Sequence, residues 1–434
     1  MKFNENEIKT QAILVGIVTD DTTAELEEIS IKELERLLDT AGGEVFATVL
    51  QNKSTPDPRT LIGSGKVKEI SELCESNEIG LVVFDAELSP AQIRNLEDDI
   101  GGDVRVIDRS MLILDIFALH AVSGEGKLQV ELAQLKYTAP RLIGKGTQLS
   151  RLGGGIGTRG PGESKLESDR RHIKRRIVAL EEEIEKLSAT RKTMRAARDR
   201  SGLKKIAIVG YTNAGKSTLL NRLTDAGILA EDKLFATLDP TTRKFTLPGG
   251  ETVLLTDTVG FIRKLPHHLV NAFRSTLDEA AYADIIMILA DASDPEYLSQ
   301  LECTEQTLDE LGASDKPTVY VFNKCDKGIY DDPIISRTPH RKNAVCISAK
   351  TGQGCEELAT MLEELVHEGK SRVTFRIPNA EQGALNRLYR DATVENVEYG
   401  EKFVTVTAVV DSKVRGMLKK YDTQAQREET DEEF

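Results

Sequence analysis

One run of eight residues, from Gly210 to Ser217, has the spacing of a phosphate-binding loop. It spells Gly-Tyr-Thr-Asn-Ala-Gly-Lys-Ser, which fits the pattern G-x-x-x-x-G-K-[ST]. In such a loop the glycines let main-chain N–H groups close around phosphate oxygens, the lysine adds a positive charge, and the serine hydroxyl can coordinate Mg²⁺. The strand-like run Ile206–Val209 precedes it and the helix-like run Thr218–Leu223 follows. We therefore predict that Lys216 and Ser217 hold the phosphates and the Mg²⁺ ion of a nucleotide.

A second motif, Asp257–Gly260, ends the apolar strand Val253–Leu255 and spells Asp-Thr-Val-Gly. In a GTPase this pattern places the aspartate near Mg²⁺ and the glycine N–H near the γ-phosphate. We therefore expect Asp257 and Gly260 to lie beside the phosphate loop.

Two further motifs predict the base. Asn323–Asp326, with the sequence Asn-Lys-Cys-Asp, follows the apolar run Thr318–Phe322, and its carboxylate can accept both N–H groups on the edge of guanine, a donor pair that adenine lacks. Ser348–Lys350 follows the run Ala344–Ile347 and completes a base pocket. Each short match is weak alone, but four matches in order at strand ends predict a GTPase that selects guanine.

A threonine between the first two motifs is needed to complete the Mg²⁺ shell, and Thr237, Thr241 and Thr242 are available. Thr237 is favoured because the stretch Phe235–Leu238 resembles the F-x-T-L pattern of the Obg and HflX branch of GTPases. The alternative is that all three threonines only cap or turn the chain.

Phe261 stands directly after Asp257–Gly260, where Ras-like enzymes have a glutamine that orients the attacking water. A phenylalanine side chain has no conventional hydrogen-bonding group, so we predict slow intrinsic hydrolysis that another group must accelerate. Asn213 has two open interpretations. It either helps to bind a monovalent cation such as K⁺, as in some GTPases without the glutamine, or only stabilises the loop.

These motifs define the predicted site. Lys216, Thr237 and Gly260 are predicted to act in catalysis, and Ser217 and Thr237 to bind Mg²⁺. The predicted nucleotide-binding residues are Gly210, Tyr211, Thr212, Asn213, Ala214, Gly215, Lys216, Ser217, Thr218, Phe235, Ala236, Thr237, Leu238, Asp239, Asp257, Thr258, Val259, Gly260, Asn323, Lys324, Cys325, Asp326, Ser348, Ala349 and Lys350.

The composition is that of a soluble globular protein. The 434 residues allow two to four domains, and 39% are hydrophobic and 29% charged. No apolar run approaches the roughly 18 residues that span a bilayer, and the start of the chain lacks the apolar core of a signal peptide. The 5 cysteines are scattered and never form C-x-x-C, which predicts reduced thiols and a cytoplasmic location.

The elements that position the site belong to a multidomain α/β protein. Residues 1–108 alternate between strand-like runs and helical patterns, which predicts a parallel α/β domain. Gly63-Ser64-Gly65-Lys66 is interpreted as a turn before a helix, because Thr60 replaces the first glycine of a phosphate loop. Residues 204–369 form the predicted GTPase domain, and residues 370–434 a small αβ domain with an acidic tail.

Residues 109–203 are predicted to form an antiparallel helical hairpin. Leu128, Leu132 and Leu135 recur at spacings of four and three residues before Pro140, with an interruption expected at Gly124–Gly126. A second helix over 163–200 would measure roughly 57 Å at about 1.5 Å per residue.

The connection between these helices, residues 141–165, is rich in glycine and basic residues. Of its 25 residues, 8 are glycine and 5 are lysine or arginine. We predict that Lys145, Arg151 and Arg159 contact RNA phosphates, while a plain surface linker is the alternative. Gly155–Gly160 spells G-x-G-x-x-G, but no strand precedes it, so a dinucleotide site is not favoured.

Charge is divided unevenly along the chain. The net charge is −14 overall, yet residues 136–205 carry 19 Lys and Arg against 8 Asp and Glu. Such asymmetry favours a polyanionic partner for the basic segment.

Taken together, Gly210–Ser217, Phe235–Asp239, Asp257–Phe261 and the loop Gln148–Lys165 resemble an HflX-type GTPase over nearly the whole chain. The resemblance implies a monomeric cytoplasmic GTPase, with no obligate membrane partner, that binds the large ribosomal subunit and helps to split stalled ribosomes. Two alternatives remain open at this point: a ribosome-assembly or RNA-modification GTPase, and a nucleotide-regulated scaffold that binds ribosomes without separating them.

Overall fold

The computed structural model describes residues 10–144, 161–200, 202–224, 234–235, 240–264, 279–329, 343–367 and 370–423. Its first sheet has four parallel strands in the order β2-β1-β3-β4, with helices on both faces. This arrangement confirms the predicted parallel α/β architecture. In chain order the elements are Thr10–Val18 (β1), Ala24–Thr40 (α1), Gly43–Asn52 (β2), Ser64–Asn77 (α2), Leu81–Phe84 (β3), Pro90–Ile100 (α3) and Arg105–Asp108 (β4).

Local capping explains where several helices begin. Helix α3 starts at Pro90, and the Ser89 hydroxyl accepts from the Gln92 N–H while the Gln92 side chain accepts from the Ser89 N–H. Helix α2 begins at Ser64, so of the segment predicted as a turn only Gly63 precedes the helix, and Ser64–Lys66 form its first turn.

Two helices follow β4, Arg109–His120 (α4) and Gly124–Thr138 (α5). The predicted interruption at Gly124–Gly126 was misplaced: the break falls at residues 121–123. The reason is that the Ser123 hydroxyl caps α5 by accepting from the Gly126 N–H at 2.8 Å, so both glycines fit within the first turn.

A 3₁₀ turn, Ala139–Gly144, continues α5, and a 40-residue helix, Pro161–Arg200 (α6), leads toward the second sheet. Two ion pairs join α5 to α6, from Arg176 to Glu131 and from Lys136 to Glu181, each at 2.7 Å. The predicted loop, residues 141–165, is thus helical at both ends: residues 141–144 lie in the 3₁₀ turn and residues 161–165 in α6. Residues 145–160 lie outside the described part, and the antiparallel course of the hairpin stays a prediction.

The second sheet carries the GTPase motifs. Its six strands have the order β10-β9-β8-β5-β7-β6, all parallel except β6. Because the loops that follow parallel strands meet at one edge, the predicted motifs converge there. The elements are Lys205–Gly210 (β5), Lys216–Thr224 (α7), Thr241–Thr246 (β6), Thr252–Asp257 (β7), Ile285–Asp291 (β8), Tyr297–Glu310 (α8), Thr318–Asn323 (β9), Ala344–Cys346 (β10) and Cys355–His367 (α9).

The last domain is a three-stranded antiparallel sheet in the order β11-β13-β12, with two helices. The sequence did not predict β12, because it is a largely exposed edge strand with the polar sequence Thr-Val-Glu-Asn-Val-Glu-Tyr. The elements are Lys370–Pro378 (β11), Gln382–Asp391 (α10), Thr393–Tyr399 (β12), Phe403–Asp411 (β13) and Ser412–Met417 (α11).

A continuous apolar core joins the first domain, α4 and the GTPase domain. Leu34, Phe117, Phe235 and Phe261 belong to this cluster, and the rings of Phe117 and Phe235 meet edge to face with centroids 4.8 Å apart. The nucleotide motifs are thus packed against the N-terminal half of the chain. Within the described residues, none of the helices has the length and hydrophobicity needed to cross a membrane.

Candidate GTP-binding site

The phosphate loop runs from the end of β5 to the start of α7. Gly215 has a φ of 97°, and a Cβ atom there would lie 2.4 Å from the Asn323 amide nitrogen. Only glycine fits this combination of left-handed backbone and close approach. The loop is also tied to the Asp257–Gly260 motif, because the Thr212 N–H donates to the Phe261 carbonyl at 2.8 Å and the Phe261 N–H donates to the Gly210 carbonyl at 3.1 Å.

Lys216 is buried inside this loop, with 6% of its surface exposed. Its ammonium donates to the carbonyl oxygens of Gly210 at 3.2 Å and Tyr211 at 2.9 Å. Burial lowers the pKa of Lys216 to about 8, Asp257 opposes that change, and Lys324 reinforces it. A cation held mainly by neutral carbonyls in a buried position favours the arrival of an anion such as phosphate.

Ser217 and Asp257 are adjacent, as their predicted roles require. The Ser217 hydroxyl donates to an Asp257 carboxylate oxygen at 2.6 Å, and Asp257 is fully buried. A hydroxyl and a carboxylate are oxygen ligands of the kind that Mg²⁺ accepts, directly or through water. The residues present therefore fit a magnesium ion next to the phosphates.

The base motifs are joined to the phosphate loop by side-chain hydrogen bonds. The Asn323 amide donates to the Ala214 carbonyl at 2.8 Å and accepts from the Ala349 N–H at 2.9 Å. The Lys324 ammonium donates to the Asn213 carbonyl at 2.8 Å. Asn213 itself has a φ of 60°, a conformation that asparagine tolerates better than most residues. These contacts join the phosphate loop and the two base motifs into one continuous rim.

Asp326 is exposed beside the loop of Ser348. The Ser348 hydroxyl donates to an Asp326 carboxylate oxygen at 2.7 Å, and this bond lowers the pKa of Asp326 below its ordinary value. The carboxylate is therefore ionised at neutral pH and can act as an acceptor for the donor edge of a base.

Several predicted residues turn their side chains away from the nucleotide side. The Tyr211 hydroxyl donates to Glu33 of α1 and accepts from the Arg263 N–H at 2.7 Å. The Thr212 hydroxyl accepts from the Phe235 N–H at 2.8 Å. Phe261 is 1% exposed, so its side chain is part of the core.

The sequence did not predict a buried ionic cluster next to these residues. Arg109 is 2% exposed and pairs with Glu33 and, at 2.6 Å, with Asp85. Lys264, three residues after Phe261, also pairs with Asp85 at 2.6 Å and with Glu27 at 3.0 Å. The available signal was that Asp85 and Arg109 directly follow β3 and β4, at the carboxyl edge of the first sheet.

Further predicted residues lie in or near the strands and helices of the second sheet, or outside the described residues. Thr258 and Val259 are buried, and the Thr258 hydroxyl donates to the Ile208 carbonyl at 2.7 Å. Thr242 lies in β6 with its hydroxyl 3.0 Å from that of Thr256. Thr218 lies in α7 after the loop, and Cys325 packs near β10. Seven further predicted residues lie outside the described residues: Ala236, Thr237, Leu238, Asp239, Lys145, Arg151 and Arg159.

Three family descriptions match successive parts of the chain. They are GTP-binding GTPase N-terminal over residues 28–118, GTP-binding GTPase Middle Region over 120–198, and 50S ribosome-binding GTPase over 205–324.

Curated relatives named GTPase HflX match almost the full length of this chain. The GTPase HflX of Lacrimispora saccharolytica is 50% identical over 412 residues, 95% of this chain and 96% of the relative. The GTPase HflX of Escherichia coli is 43% identical over 396 residues, 91% of each. A solved GTP-binding protein of Sulfolobus solfataricus in complex with GDP is 28% identical, with a TM-score of 0.44, over 83% of this chain and 99% of that one. By its similarity to these curated relatives and by the motifs assembled at its second sheet, the chain belongs to the HflX family and is a GTPase.

Proposed function

We propose that this GTPase works with Mg²⁺ as a monomer, binds the large ribosomal subunit and its RNA, and separates stalled or idle ribosomes. The observation that carries the proposal is the match to the 50S ribosome-binding GTPase family over residues 205–324. The basic segment 136–205, with 19 Lys and Arg against 8 Asp and Glu, supports it.

The proposed roles of the site residues rest on the sequence motifs and are supported, for the described residues, by the contacts given above. Lys216 binds the β- and γ-phosphates, and the Gly260 N–H meets the γ-phosphate. Ser217 and Thr237 hold Mg²⁺, which supplies neutralisation of the charge that develops on the phosphoryl oxygens. Asp326 accepts from the donor edge of guanine. With these assignments, the same site binds GTP and cleaves it to GDP and phosphate.

The guanine assignment has a direct test. An Asp326→Asn variant offers an amide donor where the carboxylate accepted, so it should lose GDP affinity and gain xanthosine diphosphate affinity. Competition of both nucleotides against a fluorescent GDP measures the exchange of preference. Unchanged GDP affinity without any gain for the xanthine nucleotide would reject the pocket.

Hydrolysis by the free protein is proposed to be slow. Phe261 is buried and offers no side-chain hydrogen bond, so the attacking water must be ordered by another group, supplied either by the partner or by a bound K⁺ ion. In other GTPases such completion is worth about 10³–10⁵-fold in rate. Turnover is measured with and without large subunits, in potassium and in sodium. A potassium stimulation that Asn213→Ala abolishes would assign a K⁺ site to Asn213.

The predicted RNA-contacting residues are Lys145, Arg151 and Arg159, each able to neutralise one phosphate. Affinity for the subunit should then fall with salt, with a log–log slope of about −0.7 to −0.9 for each phosphate contacted. Replacing all three by glutamine should weaken subunit binding while leaving the affinity for free GTP unchanged, since the GTP site has its own phosphate ligands.

Subunit separation is followed by light scattering of intact ribosomes. The matched control neutralises three exposed lysines elsewhere, Lys68, Lys244 and Lys402, and so makes the same change in charge. The proposal expects that the control separates ribosomes normally and the loop variant does not. Equal separation by both would make the loop a linker.

The two alternative functions give different results in the same experiments. A ribosome-assembly or RNA-modification GTPase would bind assembly intermediates in preference to mature large subunits. A nucleotide-regulated scaffold would bind mature ribosomes without changing their light scattering.

A further inference from the structure

Arg222 links the helix of the phosphate loop to the loop of the base. It lies in α7, which begins with Lys216 and Ser217. Its guanidinium donates through Nε to the Ala349 carbonyl at 3.2 Å and through Nη2 to the Lys350 carbonyl. The planar fork of arginine suits two neighbouring acceptors of this kind better than the single ammonium of lysine.

The bond to Ala349 fixes the direction of one N–H group. The Ala349 carbonyl and the Lys350 N–H belong to the same planar trans peptide and point in opposite directions. Because the carbonyl faces Arg222, the Lys350 N–H faces away from it. Ser348, at the start of this loop, is bonded to Asp326 at 2.7 Å, so the loop passes next to the carboxylate that is proposed to meet guanine.

Neighbouring N–H groups of the loop are used within the protein. The Ala349 N–H donates to Asn323 at 2.9 Å, the Thr351 N–H to the Ser348 hydroxyl at 3.2 Å, and the Gly352 N–H to the Ser348 carbonyl at 2.7 Å. Among the described residues, no acceptor is seen for the Lys350 N–H. This donor is therefore available to a ligand.

We propose that Arg222 is a positioning residue for guanine recognition, holding the Ala349–Lys350 peptide so that its N–H meets the 6-oxo group of the base. The proposal rests on the proposed placement of guanine beside Asp326. It divides the edge of the base between two groups: Asp326 reads the N1–H and 2-amino donors, and the Lys350 N–H reads the neighbouring oxygen. Helix α7 then serves phosphate and base binding from its two ends.

The test separates the two ends of the base edge by using three diphosphates as competitors against a ribose-labelled fluorescent GDP. GDP has all of these groups, inosine diphosphate keeps the 6-oxo group and the N1–H without the 2-amino group, and 2-aminopurine riboside diphosphate keeps the 2-amino group without the 6-oxo group or the N1–H. The proteins compared are the parent, Arg222→Ala, Arg222→Lys and the control Arg390→Ala, which removes an exposed arginine from α10.

Arg222→Ala should weaken GDP and inosine diphosphate by the same factor, about fivefold, which is the size of one hydrogen bond near the surface. Binding of the 2-aminopurine nucleotide should change less than about twofold by the same reasoning. Arg222→Lys should fall between parent and alanine variant, because it can serve one carbonyl, and Arg390→Ala should match the parent. Arg222→Lys also keeps the test valid if the alanine variant does not fold.

Two results would overturn the role of Arg222. An equal loss for all three diphosphates would show that the arginine stabilises the site in general, and no loss would show that the loop holds its own shape. Failure of the guanine pocket itself looks different, because the parent would then fail to prefer GDP over inosine diphosphate.

Discussion

Lys216 and Arg109 are both buried cations, but their surroundings differ in kind. Lys216 donates to two neutral carbonyls, and burial lowers its pKa to about 8. Arg109 pairs with the carboxylates of Glu33 and Asp85, which raise its pKa against the effect of burial. The neutral carbonyls leave the positive charge of Lys216 largely uncompensated, whereas two carboxylates compensate the charge of Arg109.

The difference separates a binding site from a structural one. A buried charge is costly unless it is paired, so a cation without enough partner charge is stabilised by an anionic ligand. A cation that already has two carboxylates gains nothing from a phosphate and instead fixes the elements that carry those carboxylates. Arg109 thus joins α1, β3 and α4, and Tyr211 and Lys264 join the phosphate loop and the segment after Phe261 to the same cluster.

The largest contrast is expected between Lys216→Ala and Arg109→Met. The first should weaken GDP binding by about 100-fold, as expected for a charged hydrogen bond to phosphate, with little loss of stability. The second should lower the free energy of unfolding by about 3–5 kcal/mol because it leaves carboxylates buried and unpaired. Calorimetric titration and denaturant unfolding measure the two quantities. Similar profiles for both variants would remove the distinction.

Phe261→Gln tests whether the segment between the two sites is catalytic or structural. The side chain is 1% exposed in the shared core, so a glutamine there should lower the free energy of unfolding by about 2–4 kcal/mol and should not accelerate hydrolysis. Phe261→Leu is the matched apolar control and should cost less. A faster GTPase in the glutamine variant would mean that this position reaches the attacking water.

The pH dependence of stability and of GDP affinity should report on the buried ammonium of Lys216. The folded-state pKa of Lys216, about 8, lies below the ordinary 10.5, so the unfolded chain binds more protons between these values. The free energy of unfolding of the nucleotide-free protein should therefore rise between pH 8 and 10.5, by up to about 3 kcal/mol, relative to a Lys216→Met variant. Affinity for GDP should fall over the same interval, because phosphate binds the protonated lysine. Identical pH profiles for parent and variant would contradict the buried ammonium.

The smallest effect is expected for Tyr211→Phe, which removes only the hydroxyl that connects the two sites. Losing its bonds to Glu33 and to the Arg263 N–H should cost about 1–2 kcal/mol of stability. GDP affinity should change less than about twofold, because the Tyr211 main chain stays in place. A large loss of nucleotide affinity would show that the ionic cluster supports the phosphate loop directly.

The sequence was sufficient to predict those parts of the molecule that are built from residues close together in the chain. The phosphate loop, Asp257–Gly260 and the base motifs are short runs at the ends of apolar strands, and their residue types predicted both the elements and the convergence of their loops. Strands such as β1 and β3 were predicted from their apolar runs for the same reason.

The parts that were missed depend on pairs far apart in the chain or on weak patterns. Glu33 and Tyr211 are 178 positions apart, and nothing near either residue predicts their contact. Arg222 belongs to no motif, and its bonds to Ala349 and Lys350 exist only after the sheet has formed. The edge strand β12 alternates too weakly to be distinguished from a loop.

The length of α6 has a mechanical consequence. Its 40 residues make a rod of about 60 Å at about 1.5 Å per residue, and β5, whose end is the phosphate loop, begins at Lys205, only a few residues after the helix ends. Over a rod of that length, a tilt of about 5° at one end displaces the other by about 5 Å. A small change in the direction of α6 near β5 would therefore be largest at Pro161, the end of the helix next to the predicted RNA-contacting loop.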